Sequence, residues 1–149
     1  MLIIFKAYSG KFKPKHPKKY KGDPRLIIYR SLWELKFMKW CDDHNHVLEW
    51  GSEEIIVPYR SPLDGRIHRY FVDFYIKIRN KNNSVKKYLI EVKPKKQTLE
   101  PKVPKRRTPR YLNEVSTYII NQAKWEAAKE WCADRRLEFL ILTEEHLNV

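Results

Sequence analysis

Tyr70-Phe71-Val72-Asp73-Phe74-Tyr75-Ile76-Lys77-Ile78 and, after residues 79–87, Tyr88-Leu89-Ile90-Glu91-Val92-Lys93 read as a β-hairpin that carries charges where a core belongs. Val72, Phe74, Ile76 and Ile78 alternate at period two, which predicts one apolar face and leaves Asp73 on the other with Phe71 and Tyr75. In the second run Ile90 and Val92 share one face, and Leu89, Glu91 and Lys93 share the opposite one. Folding about Asn82 sets Asp73 opposite Glu91, because each lies nine positions from that residue. A two-residue Asn82-Asn83 turn would instead pair Asp73 with Val92 and send the carboxylates to opposite faces. An odd-length loop or a bulge is therefore what gathers Asp73, Glu91 and Lys93.

Two carboxylates on neighbouring strands repel and ask for a counter-charge. A divalent cation such as Mg2+, for which Mn2+ can substitute, takes hard oxygen ligands, commonly one or two carboxylates with waters and phosphate oxygens. A lysine beside it can stabilise charge developing on a phosphate or orient a water, and phosphodiester hydrolysis is the chemistry such a set suits. The same spacing also serves a cross-strand ion cluster on a solvated sheet face, so the residue pattern leaves both readings open.

Val72-Asp73 followed by Glu91-Val92-Lys93 resembles the signature of the PD-(D/E)-x-K nuclease superfamily, with valine where proline usually precedes the aspartate. Arg30-Ser31-Leu32-Trp33-Glu34 before it, and Asn121-Gln122-Ala123-Lys124 with Phe139-Leu140-Ile141-Leu142-Thr143-Glu144 after it, resemble the pattern of TnsA-like transposon endonucleases. The order of motifs along nearly the whole chain is similar to that of the nucleases that complete the heads of T4-like phages. These resemblances imply a restriction-endonuclease-like α/β core, a mixed central sheet flanked by helices, in a single domain over residues 1–149. They imply that Asp73, Glu91 and the backbone carbonyl of Val92 hold Mg2+ and that Glu34 assists directly or through water. They place Lys93 at the attacking water or the phosphate, and Asn121 and Lys124 near the scissile phosphate. The phage resemblance implies action on DNA after packaging and before tail joining, other head and neck proteins as partners, and a location in the virion and, during assembly, the host cytoplasm. A non-catalytic DNA-binding head or neck protein and a transposition endonuclease are the rival readings.

The 149 residues are 42% hydrophobic and 13% aromatic, which predicts one globular domain with a sizeable core. A formal charge of +13 and a pI near 9.7 imply a polyanionic partner or an acidic membrane surface, and nucleic acid is the more economical of the two. No apolar run reaches the roughly 18 residues of a membrane span, and the first residues lack the basic lead of a secretory signal. A soluble intracellular protein with no membrane partner is expected. Cys41 and Cys132 are expected to remain thiols, and Cys41, His44 and His46 lack a fourth zinc ligand at finger spacing.

Residues 1–8 are expected to form a short strand. Residues 11–21 hold six lysines and two prolines and read as a basic arm unable to pack. Residues 95–110 hold seven basic residues and prolines at 101, 104 and 109, and read as a second, mobile basic arm. The arms are expected to reach DNA phosphates through Lys11, Lys13, Lys15, Lys18 and Lys19 and through Lys95, Lys96, Lys105, Arg106 and Arg107, or else to be solvated linkers. Ser31 and Glu34 make a capping box, with Glu34 reaching back to the Ser31 amide, and predict a helix over 32–43 on which Leu32, Leu35, Met38 and Cys41, or Leu35, Met38 and Asp42, fall at helical spacing. A strand over 54–59, a turn at 61–65, a helix over 112–134 with Ile120 and Trp131 buried, and a central, parallel closing strand over 137–142 complete the expectation.

Overall fold

The structure is a computed structural model that describes residues 9–148, so the strand expected over residues 1–8 lies outside the described residues. In chain order the elements are β1 (Gly10–Lys11), a 3-10 turn (Pro17–Lys19), β2 (Ile28–Tyr29), α1 (Leu32–Asp43), β3 (Val47–Ser52), β4 (Ile56–Arg60), β5 (Ile67–Phe71), β6 (Phe74–Arg79) and β7 (Val85–Val92). A second 3-10 turn (Lys95–Thr98), α2 (Pro109–Asp134), β8 (Glu138–Leu142) and α3 (Glu144–Leu147) follow.

The central sheet runs β3-β6-β7-β8, antiparallel up to β7 and parallel between β7 and β8, so it is mixed. Side chains that alternate along a strand leave its two faces in turn. Phe74, Ile76 and Ile90 accordingly join Phe37, Met38, Cys41 and Trp50 on the α1 side. Tyr75 and Leu89 join Trp125, Ala128 and Cys132 on the α2 side. Two helices thus cover opposite faces of one sheet, the layered α/β arrangement that buries both faces. Cys41 and Cys132 are buried free thiols.

The hairpin closes through Lys81, Asn82 and Asn83. The Asn80 amide donates to the Ser84 carbonyl at 2.8 Å, the Asn83 amide donates to the Asn80 carbonyl at 2.9 Å, and Asn83 takes φ 68°. Asparagine tolerates that left-handed backbone better than most residues, and this position in a three-residue hairpin loop requires it. Phe74 pairs with Ile90 and Arg79 with Val85, a register centred on Asn82.

Several expectations need correction. Val72 does not share the face of Phe74, because the chain bends at Val72-Asp73 and Val72 packs in the α2-side core. The strand expected over 54–59 is β4, which pairs with β5 in a separate two-stranded ribbon; the sheet's first antiparallel strand is β3, which sequence reasoning missed. Its apolar residues Val47, Leu48 and Trp50 are broken by Glu49 and Gly51, so they show no clean period. Strand β8 is parallel to β7 but lies at the sheet edge among the described residues, and Leu140 is exposed. Helix α2 begins at Pro109 behind a Thr108 cap and buries Asn121, Trp125, Ala128 and Cys132; Ile120 and Trp131 are only partly buried. In α1 Phe37 takes the inward position and Leu32 is exposed.

Residues 11–21 pack, against expectation. Phe12 and Tyr20 are buried against Trp50, the Lys15 and His16 amides donate to the Asp42 carboxylate at 2.7 and 3.0 Å, and the Lys21 amide donates to the Trp50 carbonyl at 2.7 Å. Two aromatic anchors and a buried acceptor outweigh the prolines and lysines that argued for a free arm. Residues 99–108 form an exposed connection without regular structure. No helix among the described residues is long and apolar enough to cross a membrane.

Candidate active site

The hairpin register sets Asp73 opposite Glu91 at the point where β6 begins. The Val92 amide donates to Asp73 Oδ2 at 2.8 Å, which orients the carboxyl across the strand pair. Two backbone bonds fix the bend behind it: the Glu53 amide donates to the Asp73 carbonyl, and the Val72 amide donates to the Ile55 carbonyl, each at 3.1 Å. Glu53 adopts φ 55° to make its bond, a left-handed conformation uncommon for a residue other than glycine.

Glu91 is buried and points to the α2 side, where Trp125 Nε1 donates to its Oε2 at 3.3 Å. The Tyr70 hydroxyl is buried close enough to feel both Glu91 and Asp73, yet makes no well-formed hydrogen bond. Burial, and then the neighbouring Glu91 charge, push the Asp73 carboxyl well above the ordinary carboxylate range; the Val92 amide opposes them. The Glu91 charge acts on Asp73 more strongly than that of Glu34 does.

Glu34 comes from α1, in the other helical layer, and its charge interacts with those of both Asp73 and Glu91. Burial raises its carboxyl, and the charges of Glu53 and Glu91 add to that effect. Its Oε1 accepts from the Arg30 amide at 3.1 Å, rather than from the Ser31 amide that a capping box would supply, while Ser31 Oγ does accept from the Glu34 amide at 3.1 Å. Arg30 itself forms a two-pronged ion pair with Glu53, 3.1 Å at each prong, and its charge is felt by Glu34 and Asp73. Arg30 and Glu53 therefore close the rim of the acidic cluster.

Lys93 follows Glu91 by two positions, and its amide extends the parallel ladder by donating to the Leu142 carbonyl at 2.9 Å. Its half-buried side chain makes no ion pair among the described residues. Asn121 is buried one turn before Trp125, and Lys124 Nζ lies over the rings of Tyr59 and Tyr70 at 5.8 and 5.5 Å. Tyr70 thus links Lys124 to the carboxylates.

No three His, Cys, Asp or Glu side chains among the described residues are gathered tightly enough to enclose a metal ion by themselves. The donor set is instead two facing carboxylates beside the Val92 backbone. That set fits a cation such as Mg2+, which uses one or two protein carboxylates and completes its shell with water and phosphate oxygens.

The basic residues divide by environment. Lys11, Lys13, Lys15, Lys18, Lys96, Lys105, Arg106 and Arg107 are exposed. Lys19 is not free to meet a phosphate, because its ammonium donates to the carbonyls of Cys41, Asp42 and His44 at 2.7, 3.0 and 2.8 Å and closes the C-terminal end of α1. Lys95 pairs with Glu145 at 2.8 Å. Sequence reasoning missed Trp125, Tyr70, Arg30 and Glu53 as parts of the site. The spacing of Trp125 four residues after Asn121 was a usable signal; nothing local to Glu53 or Tyr70 announced a role.

Residues 44–144 match the family described as TnsA-like endonuclease N terminal. The chain is also 41% identical over 146 residues to a protein of Enterobacteria phage T4 described as "Head completion nuclease", an alignment covering 95% of each chain.

Proposed function

The chain belongs to the TnsA-like endonuclease N-terminal family, and from that premise we propose that it is a Mg2+-dependent deoxyribonuclease, for which Mn2+ can substitute, acting in phage head completion after DNA packaging and before tail joining. The observation that carries the reading is the enforced approach of Asp73 to Glu91. A fold that commits two backbone bonds and a tryptophan to holding like charges together is set up for a cation between them.

Asp73, Glu91 and the Val92 carbonyl would hold the cation, with Glu34 assisting directly or through water. When bound, such an ion polarises a phosphate oxygen and makes a water more acidic. Lys93 contacts either the attacking water or the phosphate, where its charge would offset negative charge that develops there. Trp125 keeps Glu91 in one orientation. Asn121 and Lys124 line the helix side of the phosphate's approach.

The phage T4 relative and its alignment over nearly the full length support the biological role. On this reading the partners are DNA and other head and neck proteins, and the location is the virion and, during assembly, the host cytoplasm. The exposed lysines and arginines of residues 11–18 and 96–107 lie on DNA phosphates.

The test is cleavage of supercoiled, branched, overhanging and single-stranded DNA in Mg2+ or Mn2+. Asp73→Ala and Glu91→Ala are expected to abolish cleavage while DNA binding without divalent cation persists. Lys93→Ala is expected to lower the rate by about 10²–10³. Wild-type protein that cuts no DNA form faster than Asp73→Ala would replace this reading with a non-catalytic DNA-binding head component.

A further inference from the structure

The two-stranded ribbon of β4 and β5 has two unlike faces. Val57, Tyr59 and Tyr70 are buried in the core shared with α2. The opposite face carries Ile56, Pro58, Arg60, Ile67, Arg69 and Phe71, all exposed. Cross-strand pairing of Ile56 with Phe71, Pro58 with Arg69 and Arg60 with Ile67 makes these six a continuous surface. None of them is acidic, and Ile67 is 60% exposed. The two cations are held in place: the Arg69 guanidinium lies 5.6 Å from the centre of the Phe71 ring, and Arg60 Nη1 donates to the Gly65 carbonyl in the connecting turn.

We propose that this outer face is a seat for duplex DNA that guides the substrate's backbone to Asp73 and Glu91. The inference rests on the nuclease reading for what the DNA is delivered to, but the binding surface is independent of catalysis. Paired strands lie about 4.8 Å apart, and a two-stranded ribbon enters the roughly 12 Å major groove of B-DNA. Charge selects the occupant. A second copy of this chain docked on the same face would bring guanidinium against guanidinium, whereas DNA supplies opposite charge to Arg60 and Arg69 and thymine methyl groups to Ile67 and Phe71.

Position adds a second reason. Phe71 ends β5 and Asp73 follows two residues later. Arg69 is four residues from Asp73, at most about 14 Å of extended chain. With one phosphate of each strand per about 3.4 Å of helix axis, a duplex gripped by the ribbon presents its backbone at the carboxylates within about four base pairs.

The experiment measures binding of a short duplex, and of one of its single strands, to the full chain without divalent cation, so that a failure of the nuclease reading leaves the result interpretable. Arg60→Ala/Arg69→Ala/Phe71→Ala is compared with Lys81→Ala/Lys87→Ala, which removes the same charge from exposed positions at the hairpin end of the sheet. The ribbon variant is expected to bind duplex about tenfold or more weakly, to lose about 1.8 from the log–log salt slope for two phosphates left unneutralised, and to lose less affinity for the single strand. The altered side chains are exposed, so its melting temperature is expected to match the wild type. Equal losses in both variants, unchanged duplex binding, or a wild-type dimer that the ribbon variant converts to monomer would overturn the proposal. Cleavage that proceeds unaltered in the ribbon variant would overturn it too, while leaving the nuclease reading in place.

Discussion

Asp73 is held by the Val92 amide beside a second carboxyl, and its ionisation is the main electrostatic liability of the metal-free site. Burial and Glu91 raise its folded-state value, so the protonated form favours folding. That favourable contribution is full below the unfolded value of about 3.9 and is lost as pH rises through the raised folded value. Metal-free wild-type protein is therefore expected to lose stability over that window. Asp73→Asn keeps an acceptor for the Val92 amide and removes the charge. Its advantage in melting temperature over wild type, measured in chelator, is expected to be absent at acid pH, to grow on neutralisation and then to level off. A constant difference across pH would show that Asp73 is not perturbed. Trp125→Phe keeps an aromatic ring in the core but removes the donor to Glu91. Losing a partner that orients a metal-holding carboxylate costs about 10–100-fold in metal affinity or activity. Titration of Mn2+ binding beside cleavage rates checks this, and unchanged metal affinity would reduce Trp125 to packing.

At the level of elements, the three-residue loop between β6 and β7 decides whether a site exists at all. Inserting one alanine between Arg79 and Asn80 keeps the three-residue loop but moves β6 by one position, so that Asp73 opposes Val92. The insertion is expected to abolish cleavage even where the protein still folds, because the carboxylates would leave opposite faces. Asn83→Ala tests the loop more gently: a non-glycine side chain at φ 68° costs about 1–2 kcal/mol, readable as a lower denaturant midpoint, and Asn83→Gly should show no such loss. The bounds of helix α1 and its Ser31 cap were legible, with Ser31 capping Leu32–Asp43 as expected, although Phe37 rather than Leu32 faces inward. The partner of Glu34 was not, since the choice between the Arg30 and Ser31 amides depends on how the chain leaves β2, which lies outside the reach of a four-residue pattern.

Across the whole molecule, the excess positive charge is divided between residues that build the fold and residues that face solvent. Lys19→Ala removes the ammonium that the Cys41, Asp42 and His44 carbonyls share at the end of α1 and is expected to cost about 1–3 kcal/mol of stability, with little change in the salt dependence of DNA binding. Neutralising Lys105, Arg106 and Arg107, which are exposed, is expected to leave the melting temperature alone and to lower the log–log salt slope by about 0.9 for each phosphate left unneutralised. The opposite pattern would mean that residues 99–108 are structural. The mixed α/β class, the hairpin with its charged face, α1 and most of α2 were written in the linear pattern, because period-two and period-3.6 alternation and capping chemistry act over a few neighbouring residues. The gathering of Asp73 with Glu91 was legible as one of two registers, since Asn82 was equidistant from both. Long-range packing chose the rest: Phe12 and Tyr20 against Trp50 docked a lysine-rich segment, β3 displaced β4 from the sheet, and the indole of Trp125 came to rest on Glu91. These interactions join residues from distant parts of the chain, and no local periodicity encodes which apolar surface a segment meets when the chain closes on itself.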